Sequence, residues 1–385
     1  MQKKILKKKI NKIAIFISDE GFGHSVRQKI IITEFLKYNS KIQFTIFNNK
    51  RLLFLKEYFG NKLNYNFYSN TLHTVKKKSG ELDLEKTKKI LVEWPKKSDL
   101  NIRKLLKDKD KLNFDMIISD LVPEAFKLAK ILKIPSYGVA RFTWDWFFYN
   151  TELKKLKVTQ MIKESLQLSN KIYFPTFIKK KILSNNYLNF KETNLIFNKK
   201  IFKEGINQFF KSKNVYKCLI MDNGTKTNSN LIQKTVKYLK NIKNIDFYLA
   251  VDNFPDKLKR HVAEQKNLIP IQGLKNMHGL IEHVDFLVAR GGFNTITELL
   301  IFKKPALLID EKNNPEIRAN LDQMHISGCC AIMKQSSFQS NFQKKINYFV
   351  NNQLKNIEYN LHSKMIKTNG ANQIVQDIIK SYEKS

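Results

Sequence analysis

The stretch Gly21-Phe22-Gly23-His24-Ser25-Val26-Arg27 follows an apolar run, KIAIFIS at 12–18, and precedes a segment whose apolar positions include Val26, Ile30 and Phe35. A strand, a turn and an amphipathic helix are expected in that order. Glycines at Gly21 and Gly23 allow a tight turn and let a ligand approach the main chain, while the helix N-terminus offers unpaired N–H groups to an anion. His24 stands at the helix start, where a neutral imidazole can take a proton from an attacking hydroxyl because its pKa lies near the working pH. Arg27, three residues on, shares its face. The same residues also describe a plain βα turn with an incidental histidine.

A second glycine turn lies in the other half. DFLVARGGFNTITELLIFKKPALLID (285–310) reads as strand, turn, helix, strand, with Arg290 and the pair Gly291-Gly292 at the turn. Asn294 or Thr295 is expected to cap the helix. Glu298 follows on its first turns, where a carboxylate suits the helix dipole and can bind two ribose hydroxyls, the alternative being a surface charge that only stabilises the helix. MDNGTKTNSN (221–230) offers Gly224 and Thr225 in a loop able to cradle a pyrophosphate. NNPEIRANLDQM (313–324) brings Glu316, Arg318, Asn320 and Gln323 to a helix start, the amide and carboxylate groups that a hydroxyl-rich ligand needs.

Strand-like runs alternating with helical stretches must position these residues, and they predict an α/β fold of two Rossmann-like doubly wound domains facing each other across a cleft. Strands are expected at 12–18, 42–47, 115–120, 134–139 and 171–175, then at 217–222, 245–251, 268–273, 285–289 and 305–310. Asp120 ends one of them and should point toward the same ligand-facing edge as His24. Residues 177–214 are polar, lysine-rich and poor in strand signals, with KETNLIFNKK (191–200) as the candidate crossing segment. The expected division is 1–195, a linker at 196–214, 215–360, and a terminal helix at 361–385 that returns to the first domain. The aromatic run RFTWDWFFYN (141–150), with Trp144 and Asp145, either lines an acceptor pocket or fills the core after a strand.

Composition narrows the partners. A formal net charge of +35 would suggest a polyanion, but among 69 basic residues arginine occurs only at positions 27, 51, 103, 141, 260, 290 and 318. Phosphate and base recognition favours the planar arginine fork, and the lysines are spread along the whole chain, so no nucleic acid partner is expected. Peripheral association with an anionic membrane stays open. Cys218, Cys329 and Cys330 have no zinc spacing and suit a reducing compartment. The basic start followed by Ile13 to Ile17 is too short for a signal peptide, and no apolar run approaches ~20 residues, so a soluble, cytoplasmic protein is expected.

These residues resemble the GT-B glycosyltransferases, close to glycosyltransferase family 28. ARGGFNTITELL is similar to that family's donor signature, which implies that Glu298 binds ribose, that Gly291 and Gly292 border the donor, and that the loop at Gly224 and Thr225 faces the diphosphate. IQGLKNMHGLIEH (271–283) resembles the segment whose backbone reads uracil, around Leu274 and Met277, and Asn320 resembles the residue that holds sugar hydroxyls. GFGHSVR, with ISDLVPEAFKLAKILKIPSYGVARFTWDWFF (118–148), looks closer to the glycosyltransferase-like half of L-arabinokinases, which carry a GFGHATR turn and an FSWDF element. One departure is Asp19-Glu20 before Gly21, where the peptidoglycan enzyme of the family has a longer glycine-rich turn. Acids there would repel a second phosphate, which assigns the diphosphate to the second domain.

The resemblance implies a UDP-sugar donor, a carbohydrate or lipid-linked acceptor, and His24 as the base, with Asp120 orienting either His24 or the acceptor. Gly21, Gly23 and Arg27 would stand on the acceptor side. No Asp-x-Asp motif is placed as in metal-dependent transferases, so no metal and no cofactor are expected. Two alternatives remain: a UDP-sugar hydrolase of the pseudaminic acid pathway type, which shares the Gly-x-Gly-His-x-x-Arg turn, and a non-catalytic basic protein that binds nucleic acid or an anionic membrane.

Overall fold

In the computed structural model, residues 9–69, 72–77, 81–108, 112–177, 189–198, 216–221, 232–233, 235–236, 238–252, 254–273, 277–311, 313–334 and 341–384 are described. They form two compact units. The first comprises 1–75, 83–198 and 367–385, and the second 76–82 and 199–366.

The first unit is built on the strands β1 (Lys12–Ile17), β2 (Gln43–Asn48), β3 (Asn64–Phe67), β4 (Met116–Asp120), β5 (Ser136–Val139), β6 (Lys171–Pro175) and β7 (Phe190–Thr193). All neighbours are parallel, in the order β3-β2-β1-β4-β5-β6-β7. The two-residue period of a strand sends alternate residues of β1 to opposite faces. Ile13, Ile15 and Ile17 join one core cluster, while Ala14 and Phe16 join another. With both faces covered by helices, the central strands are continuous apolar runs, as parallel sheets require.

The helix Gly370–Glu383 belongs to this first unit. Its residues Ile374, Val375, Ile378 and Tyr382 share a core with Ile30, Ile31 and Phe35 of the helix Gly23–Tyr38. Its polar side holds Asp377, which accepts from Lys171 Nζ at 2.8 Å, Tyr173 OH at 2.8 Å and Lys191 Nζ at 2.6 Å. Partial burial pushes the Asp377 pKa up, but these three donors outweigh it and bring the group to about 2.

The second unit repeats the plan. Its strands are β8 (Tyr216–Ile220), β9 (Ile245–Ala250), β10 (Leu268–Ile271), β11 (Phe286–Arg290), β12 (Ala306–Asp310) and β13 (Ala331–Lys334), all parallel, in the order β10-β9-β8-β11-β12-β13. Each sheet therefore reverses its strand order once, between β1 and β4 and between β8 and β11. Loops at the carboxyl ends of those pairs diverge to opposite faces and leave a crevice for a ligand.

Three strands escape the sequence reading: β3, β7 and β13. All three are edge strands, and the burial of β3 and β7 is mostly partial or absent. An edge strand with little buried surface needs no apolar run, so NYNF and FKET carry no strand signal. The stretch 177–214 is thus not free of strands, and the first residues of the expected crossing segment at 191–200 are paired in β7. The segment 76–82 groups with the second unit, although it lies within the first half of the sequence.

Candidate functional site

At the first switch point the chain leaves β1 through Gly21, whose φ of +83° lies in the left-handed region that glycine tolerates. The helix starts at Gly23, and its i, i+3 and i+4 positions place His24, Arg27 and Gln28 on one face. β4 runs beside β1 in parallel register, with Ile17 opposite Asp120, so the Asp120 carboxylate emerges under that face.

Four side chains meet there. Asp120 Oδ1 accepts from Arg27 Nη2 at 2.6 Å, while its Oδ2 accepts from Arg27 Nε at 2.9 Å and from Gln28 Nε2 at 2.9 Å. His24 Nδ1 lies 2.7 Å from Asp120 Oδ1. A carboxylate only accepts, so at this distance Nδ1 carries the proton and Nε2 keeps its lone pair. The side chain of Asp120 is fully buried and that of His24 is 13% exposed. Burial works to raise the Asp120 pKa, but the Arg27 and His24 charges and their hydrogen bonds overcome it and hold the group at about 2. A carboxylate held ionised fixes the tautomer of His24, with the proton on Nδ1 toward Asp120 and the lone pair on Nε2. That is what a general base needs.

Sequence analysis named His24, Arg27 and Asp120 separately, and the fold brings them together; Gln28 was missed. Its signal was available as the i+4 neighbour of His24. Asp19 and Glu20, read as acids that repel phosphate, are held internally. Asp19 Oδ1 accepts from Asn48 Nδ2 at 2.9 Å and from the amides of Asn49 and Lys50 at 3.2 and 3.0 Å, which ties down the loop after β2. Glu20 accepts from the amide of Thr74 at 2.9 Å and from its hydroxyl.

The aromatic run packs largely into the core of its unit. Phe142, Trp144, Phe147 and Phe148 are all buried, and the Trp144 indole stacks on Phe148 at 5.4 Å and donates to Leu121 O at 2.9 Å. Asp145 is also buried, at 4% exposure.

At the second switch point, Arg290 ends β11 and pairs with Glu311, just beyond β12. Glu311 also accepts from Lys76 Nζ at 3.1 Å and Asn314 Nδ2 at 3.2 Å. Burial pushes its pKa up, and Arg290 and Lys76 more than reverse the shift. Glu311 and Lys76 were not singled out from sequence. Gly291 is required by packing, since a Cβ there would meet Leu321 Cδ2 at 2.8 Å, whereas Gly292 faces open space. Gly292, not Asn294 or Thr295, is the cap residue of the helix Phe293–Phe302, and no side chain caps it. Asn294 and Thr295 lie inside the first turn because the chain turns helical directly after the glycine pair.

Asn320 is fully buried and donates to Gly291 O at 3.1 Å, so its amide nitrogen braces the turn. Glu316 is partly exposed at the start of the helix Pro315–Ile326, capped by the Asn314 side chain on the Ile317 amide. Met277 caps the helix His278–His283. Glu298 accepts from His278 Nε2 at 2.8 Å. Gly224, Thr225 and Leu274 lie outside the described residues. No described helix is long and apolar enough to cross a membrane.

Residues 215–380 match the glycosyltransferase family 28 C-terminal domain. A UDP-N-acetylglucosamine–N-acetylmuramyl-(pentapeptide) pyrophosphoryl-undecaprenol N-acetylglucosamine transferase of Clostridium botulinum (strain Kyoto / Type A2) is 28% identical over 185 residues, covering 44% of this chain and 48% of the relative. The chain thus spans about half the length of the curated relatives it matches. The glycosyltransferase of kitacinnamycin superposes with a TM-score of 0.67 at 13% identity, over 97% of this chain and 99% of that one. Phytolacca americana UGT2, complexed with UDP-2-fluoro-glucose and pterostilbene, superposes with a TM-score of 0.67 at 11% identity, over 97% and 100%. Two parallel switch-point sheets, the family domain and these full-length superpositions together make this a GT-B protein resembling the family 28 glycosyltransferases.

Proposed function

We propose that the chain transfers a sugar from a UDP-sugar to an acceptor hydroxyl, with His24 as the base and without a catalytic metal. The observation that carries this reading is the His24–Asp120 pair at 2.7 Å, which leaves Nε2 as an acceptor beside a glycine turn. Nε2 takes the hydroxyl proton as the acceptor oxygen forms its bond to the anomeric carbon. The bond from that carbon to the diphosphate breaks, and the electron pair leaves with UDP. Asp120 stays ionised throughout and stabilises the imidazolium.

The second unit holds the donor in this scheme, with Glu298 on the ribose diol, Gly292 against the donor, and the Gly224-Thr225 loop and Arg290 toward the diphosphate. The Clostridium botulinum relative, named as an N-acetylglucosamine transferase acting on a lipid-linked pyrophosphoryl compound, and UGT2 with its UDP-sugar analogue support a nucleotide-sugar donor. The acceptor is a carbohydrate or a lipid-linked compound, and the excess of lysine suits peripheral contact with the anionic inner face of a membrane.

Incubation with UDP-sugars, with and without candidate acceptors, tests the reaction class. Acceptor-dependent UDP release is the expected result. Release at full rate without any acceptor would make the protein a UDP-sugar hydrolase, in which His24 activates water.

A further inference from the structure

Among the described residues, the side chain of Glu298 pairs with His278, which comes from a different element. His278 begins the helix His278–His283, directly after Met277, and its Nε2 lies 2.8 Å from Glu298 Oε1. Both side chains are mostly enclosed, at 10% exposure for His278 and 16% for Glu298. The imidazole also lies against Phe302, with ring centroids 5.9 Å apart. Phe302 stands four residues after Glu298, so one helix face supplies both a wall for the ring and the acceptor for its proton.

We infer that His278 is a positioning residue that holds the Glu298 carboxylate in the orientation needed to receive the two ribose hydroxyls of the donor. This inference rests on the reading of Glu298 as the ribose-binding group. An unrestrained glutamate samples several rotamers, and each must be given up when a ligand binds. His278 removes that freedom in advance. Its Nε2–H bond uses one lone pair on Oε1 and leaves Oε2 and the remaining Oε1 lone pair for the diol. The bond forms in the Nε2–H neutral tautomer and in the imidazolium alike.

The placement of His278 also has a consequence along the ligand. Met277 belongs to the segment expected to read the base, and Glu298 to the helix expected to read the sugar next to it. His278 follows the one in sequence and bonds the other, so the chain that leaves the base-reading segment is tied by one side chain to the sugar-reading helix.

Calorimetric titration with UDP and with 2′,3′-dideoxy-UDP tests this. His278→Leu should weaken UDP about tenfold, the scale of losing one charge-assisted hydrogen bond, and leave dideoxy-UDP affinity unchanged. His278→Gln, whose amide nitrogen reaches the Nε2 position, should bind UDP within about threefold of the parent chain. His278→Asn, with a shorter reach, should behave like His278→Leu and serves if the leucine variant does not fold. His278→Leu combined with Glu298→Gln should be no weaker than Glu298→Gln alone.

Equal losses for both nucleotides would make His278 a merely structural residue and overturn the inference. So would a Glu298→Gln variant that loses UDP affinity while His278→Leu and His278→Asn do not. If Glu298→Gln keeps full UDP affinity, or the parent chain does not bind UDP, the ribose reading itself falls and takes the inference with it.

Discussion

Each unit places a buried carboxylate on an arginine near the carboxyl ends of its central strands, yet the two pairs do different work. In the first unit Asp120 meets Arg27 and Gln28 and also His24 Nδ1. In the second, Glu311 meets Arg290, Lys76 and the capping residue Asn314, and no histidine bonds it among the described residues. Both carboxylates are held below their ordinary pKa by cations. The difference lies in what is left over. One cluster leaves an imidazole nitrogen with a lone pair, while the other uses its charges to fasten a segment and a helix start to the end of a strand. Topology provides the location in both cases, and one added side chain provides the ring nitrogen that the proposed chemistry requires.

The sharpest way to break this contrast is His24→Ala, which should lower turnover by about 10²–10⁴-fold with UDP affinity retained. Steady-state kinetics alongside nucleotide titration measures both, and unchanged turnover would remove His24 as the base. Asp120→Asn comes next, because it leaves Arg27 beside a neutral group and removes the partner that sets the His24 tautomer. Turnover should fall by about 10²-fold or more.

Asp120 also carries a pH signature. Its folded pKa of about 2 lies below the unfolded value of about 3.8, so its stabilising effect is present above pH ~4 and is lost as pH falls toward 2. The contribution is about 2 kcal/mol at neutral pH. Chemical denaturation of the parent chain and Asp120→Asn should therefore show a gap in stability at pH 7 that narrows near pH 2–3; a gap constant with pH would contradict the depressed pKa.

Glu311→Gln should destabilise the second unit by about 1–3 kcal/mol through the unpaired Arg290 and Lys76, and leave the pH dependence of turnover as in the parent chain. A changed pH dependence would blur the distinction between the clusters. The finest contrast is within one turn. Gly291→Ala should cost about 1–3 kcal/mol, since its Cβ would press on the buried Leu321. Gly292→Ala should leave the melting temperature nearly unchanged and weaken the nucleotide if the donor approaches that residue. Melting curves and UDP titration of the pair separate packing from binding.

How far the site was legible follows from where its signals lie along the chain. His24 and Arg27 share one turn of helix, and Gly21 and Gly23 announce that turn, so sequence spacing alone places them together. Glu298 is legible for the same reason, behind Gly291-Gly292. His278 and Glu311 were missed because their partners lie 20 and 21 residues away on other elements. No helical or strand period links such positions. Asn320 shows the converse: its type suggested sugar hydroxyls, and only the fold reveals that its amide nitrogen braces Gly291 O.

The sequence by itself determined the two α/β units, the inner strands, and the glycine turns with their adjoining chemistry, because apolar periodicity and turn residues act locally. Tertiary structure alone decided the rest. Parallel pairing of β1 with β4 brought Asp120 to His24 across 96 residues. Packing decided which residues the returning helix Gly370–Glu383 meets on the helix Gly23–Tyr38, and how deeply the aromatic run at 142–148 is buried. These outcomes depend on which surfaces meet after the elements form, and a polar residue's neighbours, rather than its type, decide whether it is structural or free to act.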